Sequence, residues 1–288
     1  MAVVATTETG ARPARAGRRL SAPGWVGTVP FFAYVAVFLL LPAGVVIVDA
    51  LKNTSGGWQF SNVSDLGNPL VRGFFIGSIK LCVITSVSGA VFGAILAYAV
   101  ASGNPDGAVR RMYLAGSGVL AQSGGITLAF AFQALLGPVG LLFHAGWFYN
   151  FPWGISLIYA YFQIPLMVLV FMPAIDGLKV QWREASENLG ATAWQYWRHV
   201  GGPLLAPAFL GSTLLLFANG LSAFATIEAW ESQIAYTVPQ QISVSLNSEV
   251  GLANVNYADV LALGMMAMVI ILMTGYALLQ RRASRWLR

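Results

Sequence analysis

Residues able to do chemistry are few in this chain, and several of them stand together. The segment REASENLGATAWQYWRHVGGP, residues 183–203, gathers Arg183, Glu184, Glu187 and Arg198 in a sequence that is only 9% charged. Catalysis is poorly served elsewhere. His144 and His199 are the two histidines, and the topology derived below puts them on opposite sides of a membrane, so they cannot pair on a metal. His144 lies among interfacial aromatics and reads as structural. His199, near a helix end, is placed to favour the negative end of the helix dipole. The sequence holds no G-x-x-x-x-G-K-[ST], so it does not bind ATP through a P-loop. It also holds no His-Glu-x-x-His and no Gly-x-Ser-x-Gly. Ser-Gly-Gly at 123–125 falls inside an expected span with no histidine or lysine at depth to activate it. Cys82 is the single cysteine, which excludes an intramolecular disulfide or a multi-cysteine metal site and leaves a small core hydrophobe. The chain is therefore read as a non-enzyme, with segment 183–203 as its one polar device.

The elements that must hold that device are membrane spans. Soluble domains are roughly 45–50% apolar and about 25% charged; this chain is 57% hydrophobic with a mean hydropathy of +0.68. Lipid is its natural solvent, and nothing in it points to nucleic acid. Residues 25–48, 81–105, 112–175, 199–227 and 260–280 carry no charge. A spanning helix needs about 20 apolar residues, so the long run 112–175 must hold two, separated by the Gly-, Pro- and aromatic-rich stretch 137–154. The expectation is an all-α polytopic protein with spans near 26–49, 74–101, 112–136, 155–175, 204–227 and 257–280. Residues 1–24 read as a flexible basic tail, since the first apolar stretch exceeds the ~7–15 residues of a signal core. Residues 25–288 then form the six-helix domain. Gly89/Gly93 and Gly73/Gly77 are GxxxG pairs that let helices approach closely.

Orientation follows from Lys and Arg. With the N-terminus inside, Arg12, Arg15, Arg18, Arg19, Arg110, Arg111, Lys179, Arg183, Arg198, Arg281, Arg282, Arg285 and Arg288 all fall inside, 13 of the 16 basic residues. Lys52, Arg72 and Lys80 fall outside. Both termini are then expected in the cytoplasm, and the loop 177–203 between spans 4 and 5 is internal.

Within that loop, WREASENL (182–189) has good helix formers, with Trp182, Ala185 and Leu189 on one face. Gly190 can take the left-handed conformation that ends a helix. Thr192 and Gln195 fit a capping box for a second helix, with Trp194 and Trp197 on one side of it. Gly201, Gly202 and Pro203 are expected to stop this helix before span 5. The result is a helix–glycine elbow–helix, held close to the membrane by aromatics. A pair of helices lying on the bilayer surface fits the composition equally well; an elbow with a projecting carboxylate would also serve a cytoplasmic motor as a handle.

The pattern EAS-x3-G-x9-V-x-G-P (Glu184, Ala185, Ser186, Gly190, Val200, Gly202, Pro203) resembles the EAA signature of bacterial ABC importer permeases, roughly EAA-x3-G-x9-I-x-LP. Ser186, Val200 and Gly202 depart from it, and Gly202 loosens the join to span 5. The resemblance covers residues 25–288 and implies half of a transmembrane pore. It implies a separate ABC ATPase dimer, a second permease subunit, homologous or identical, and an extracytoplasmic binding protein. ATP would belong to the ATPase, and this chain would carry no cofactor. By position, Glu184 would pair with a basic residue of the ATPase, Ala185 would pack in its groove and Gly190 would form the bend. Ser186, Glu187 and Pro203 complete the coupling segment.

Charges at span edges are Asp49, Lys80, Asp176, Glu228 and Asp259. Deeper polar groups include Gln122, Ser123, Thr127, Gln133, Gln163, Thr213 and Asn219. Pro165 with Gln163 would kink span 4 beside a cavity. Gln133, Asn219 and Glu228 are taken as pathway candidates. The outer loop after span 5 holds Glu228, Glu231 and Glu249 and no basic residue, a bias able to guide a cation. The C-terminal part, from VPQQISVSLNS onward, resembles the spermidine/putrescine branch, with iron(III), thiamine, aminophosphonate and sugar importers as alternatives. A stand-alone secondary transporter would be expected to carry an ionisable group at mid-membrane, and the span centres have none. A membrane scaffold would not need the glycine elbow.

Overall fold

The computed structural model describes residues 28–52, 57–58, 66–104, 106–137, 140–141, 146–230, 236–247 and 255–284. The expected tail 1–24, His144, Glu231, Glu249, Arg285 and Arg288 lie outside these residues. The chain divides into two units, 1–45 and 46–288. In the first, α1 (Val29–Val35) passes through a π turn (Ala36–Leu40) into α2 (Leu41–Ala50), within which the first unit ends. Its large apolar side chains, Phe31, Phe32, Tyr34 and Phe38 among them, are exposed. Val29–Ala50 is a 22-residue stretch long and apolar enough to cross a membrane.

The second unit is built on α3 (Pro69–Ala101), α6 (Trp153–Asp176) and α9 (Gly202–Ser222). Asn68 caps α3, its side-chain oxygen accepting from the Leu70 amide at 3.1 Å. Ala90, Ala97, Met167, Val168 and Leu216 are buried where the three helices meet. Gly89 and Gly93 make this possible: a Cβ at Gly93 would overlap the Met167 side chain and stand 2.8 Å from the Ile164 carbonyl oxygen. The other pair is split. A Cβ at Gly77 would collide with the Tyr236 carbonyl, whereas Gly73 faces open space.

Among the described residues, five helices are long and apolar enough to span, and a sixth span is the pair α4 (Ala108–Gln122) and α5 (Ile126–Leu136) if it is counted as one. The expected continuous span 112–136 is therefore corrected: α4 and α5 are bent by 95°. Gly125 turns the chain at φ +111°, a region open to glycine. Its N–H donates to the Thr226 hydroxyl at 2.9 Å. Span 5 also departs from 204–227. It begins earlier, as one helical stretch Ala193–Ser222, and breaks at Ala223 before α10 (Phe224–Trp230). Beyond it, α11 (Val238–Asn247) packs on α12 (Val255–Ser284), which holds the apolar stretch Tyr257–Gly275.

Pro165 lies within α6 without interrupting it. Gln163 is fully buried between α3 and α9, its Nε2 donating weakly to the Thr85 hydroxyl and the Leu216 carbonyl, both at 3.4 Å. In place of the expected cavity, Gln163 makes a polar contact inside a packed three-helix junction.

Candidate functional site: an elbow between two spans

Helix α6 ends at Asp176, whose carboxylate pairs with Arg110 at the start of α4. That ion pair ties two spans together at the base of the loop. After three linking residues α7 (Val180–Asn188) begins. Its C-terminus is a Schellman motif: the Ala191 N–H donates to the Ser186 carbonyl at 3.0 Å and the Gly190 N–H to the Glu187 carbonyl at 2.9 Å. Gly190 takes φ +77° to allow it. The next residues start α8 (Ala193–Tyr196) with a complete capping box. The Gln195 N–H donates to Thr192 Oγ1 at 3.3 Å, and the Thr192 N–H donates to Gln195 Oε1 at 2.7 Å. Both the glycine bend and the cap therefore form as the sequence reads. Thr192→Ala is expected to speed hydrogen exchange of the α8 amides about fivefold, the equivalent of the ~1 kcal/mol that such a cap is worth; unchanged exchange would show the cap idle.

Two local expectations are corrected. Gly201, Gly202 and Pro203 do not stop the second helix. A π turn, Trp197–Gly201, carries α8 directly into α9, with the Gly202 N–H donating to the Trp197 carbonyl. The extra residue in the turn shifts the hydrogen-bond register where Pro203, without an N–H, would break an ordinary ladder. Trp194 and Trp197 also part company: Trp194 is exposed, while Trp197 packs edge-on to Tyr98 of α3 at 5.2 Å. Tyr196 is buried beside it.

Helix α7 turns Ser186 inward, the one residue of the helix that is buried. Its hydroxyl donates to the Arg183 carbonyl at 2.8 Å, so serine is accommodated where the signature has alanine. Glu184, Ala185 and Leu189 all face outward, Leu189 with 88% of its surface exposed. An apolar residue so exposed beside a carboxylate leaves the outer side of the elbow fit for a partner. Arg183 and Glu187 form an i, i+4 pair at 2.9 Å. That hydrogen bond raises the Arg183 guanidinium above its ordinary value. His199 bonds the Gln195 carbonyl through Nδ1 at 3.0 Å, a local structural role.

Two of the pathway candidates, Gln133 and Glu228, lie on the packed pair α5 and α10. Gln133 Nε2 donates to the carbonyls of Ala229 and Trp230, both at 2.8 Å, closing the end of α10 onto α5. This gives Gln133 a fastening role. Glu228 is on that same short helix, half-buried, and burial pushes its carboxyl up from the ordinary value. Asn219 lies on α9 with a buried Oδ1 that accepts no hydrogen bond among the described residues. The Arg110–Asp176 pair and the Tyr98–Trp197 contact escape sequence reasoning because their partners lie 66 and 99 positions apart.

A three-helix core of apolar helices with a capped elbow projecting between two of them defines a helical membrane protein with one ordered polar device. Residues 28–288 match the family described as binding-protein-dependent transport system inner membrane component, and the chain belongs to it. It is thus a multi-pass permease component of an ABC importer for a small solute. The sulfate transport system permease protein CysT of Escherichia coli (strain K12) is 26% identical over 222 residues, 70% of this chain and 74% of that protein. The molybdenum transport system permease protein ModB of the same strain is 33% identical over 92 residues, 31% of this chain and 40% of that one. In fold, the chain resembles a bacterial ABC transporter involved in the import of the acidic polysaccharide alginate. The TM-score is 0.70 at 15% identity, covering 90% of this chain and 94% of the other.

Proposed function

We propose that this chain forms half of the pore of an ATP-driven importer and that the elbow 177–203 receives the thrust of a separate ATPase. The observation that carries the reading is the elbow itself: two capped helices at a left-handed glycine, with Glu184 exposed beside Ala185 and Leu189. Force passes through a stiff element, and a bend held by a Schellman motif and a capping box is stiff. Glu184 docks on a basic residue of the ATPase, a charge-assisted contact worth roughly 1.5–3 kcal/mol. The 13 basic residues that fall on one side support a cytoplasmic elbow and cytoplasmic termini. A second permease subunit completes the pore, and a binding protein delivers the solute from outside.

For the solute we favour a small tetrahedral oxyanion over a polyamine. The sulfate and molybdenum permeases among the relatives support this choice, as does a feature of the spans. The break at Ser123–Gly125 exposes the N-terminal end of α5 at the bend of a span, and the positive end of a helix dipole favours an anion and disfavours a polycation. In vesicles holding the importer with its ATPase and binding protein, uptake of labelled sulfate should be suppressed by excess molybdate and untouched by spermidine. Suppression by spermidine alone would restore the polyamine reading. The motor assignment has its own readout: Glu184→Ala should lower ATPase co-purification on the order of tenfold, whatever the solute.

A further inference from the structure

Between the end of α3 and α7 lies a cleft of about 330 Å³ whose lining includes Tyr98, Ser102, Lys179, Arg183, Glu187 and Thr192. A second, almost wholly apolar groove of about 470 Å³ runs along α3, α6 and α9, past Ile95, Phe171, Leu205, Ala206 and Phe209. The two adjoin, sharing Tyr98, Ile175 and Trp197 in their linings. One end of the combined site is polar and the other oily, with a Tyr–Trp pair at the junction. This is the layering of a membrane interface, where amphipathic rings sit at headgroup level.

The charge at the polar end is biased. Lys179 and Arg183 are four residues apart and both line the cleft, against the single carboxylate of Glu187. The hydrogen bond to Glu187 uses only the Nε of Arg183, one of five donors on a guanidinium. A free anion would have no use for the apolar groove, and a neutral lipid no use for the two cations.

We infer that cleft and groove together hold one anionic phospholipid, its phosphate on Lys179 and Arg183 and an acyl chain along α9 past Ala206. The site lies at the root of the elbow, between α7 and the spans. A lipid there braces the elbow against the helix bundle and ties its movement to the composition of the membrane. The inference needs the spans and the elbow, and is independent of the solute and of the ATPase.

The test uses the full-length chain in detergent and native mass spectrometry, with phosphatidylglycerol and phosphatidylcholine as probes. The unmodified chain should retain phosphatidylglycerol preferentially. Lys179→Gln with Arg183→Gln should cut that preference on the order of 10-fold, given the attraction of two surface cations for anionic lipid. Ala206→Trp should lower retention of lipid altogether. The double glutamine variant alters exposed positions at the cap and on the surface of α7 and is expected to elute as the unmodified chain does, so it decides the matter even if the tryptophan variant misfolds. Undiminished phosphatidylglycerol retention in the double variant, or equal retention of the two lipids by the unmodified chain, overturns the inference. Efficient crosslinking of Ala206→Cys to a second chain would overturn it too, making the groove a protein interface.

Discussion

Gly190→Pro is expected to reduce ATP-driven uptake at least tenfold while leaving the chain inserted and extractable in normal amounts. Proline fixes φ near −65°, and the site requires +77°. The substitution also deletes the N–H that reaches the Glu187 carbonyl. Together these disrupt the elbow at a cost of roughly 3 kcal/mol or more. The damage stays local, because Gly190 is exposed and outside the spans. A graded series separates backbone from bulk. Nothing lies within 4 Å of a Cβ built at Gly190, so side-chain size is irrelevant there and only the left-handed conformation matters. Asparagine, which visits that region, should transport best of the substitutes; alanine, penalised by roughly 1–2 kcal/mol, should fall between; proline should be worst. Uptake in vesicles carrying the ATPase and binding protein reads the order. Unaltered uptake by the proline variant would remove the elbow from the mechanism.

How legible the elbow was in the sequence depends on the range of its interactions. The bend at Gly190 and the box at Thr192 and Gln195 close within five residues, so residue type and spacing suffice to find them. The π turn at Trp197–Gly201 is local as well, yet Gly-Gly-Pro more often ends a helix than threads one. Continuity there comes with Trp197 packing on Tyr98, 99 positions away. The inward turn of Ser186 has no signal in the sequence, since the apolar face of Trp182, Ala185 and Leu189 is exposed and the serine is the buried residue. For the spans, absence of charge located the five helices long enough to cross, but charge says nothing of continuity, and Gly124–Gly125 divides the other expected span by 95°. Solute preference was the least legible. A likeness along the C-terminal segment suggested polyamines, whereas the relatives reported above transport sulfate and molybdenum.

Gly93→Leu should fail in the opposite way from the elbow variant, losing the protein rather than its coupling. Helices α3 and α6 meet at a distance set by glycine. A side chain at Gly93 would overlap Met167, which is itself fully buried, and press on the Ile164 carbonyl at 2.8 Å. Neither neighbour can yield cheaply: the carbonyl belongs to the backbone of α6, and Met167 is enclosed by the Ala90, Val168 and Leu216 cluster. Overpacking of this kind costs about 1–3 kcal/mol and occasionally more; four added carbons against backbone place this case at the upper end. The extracted, folded chain should fall to a small fraction of normal, with a clearly lowered thermal transition in detergent. Gly73→Leu is the internal control. It occupies the same GxxxG spacing on the same helix, yet nothing lies within 4 Å of its Cβ, so it should leave folded yield unchanged. The sequence pattern treats the two glycines alike, and only the helices packed against them distinguish them. Equal yields for both leucine variants would mean that α3 and α6 do not approach as closely as described, and the three-helix core that supports the elbow would need to be redrawn.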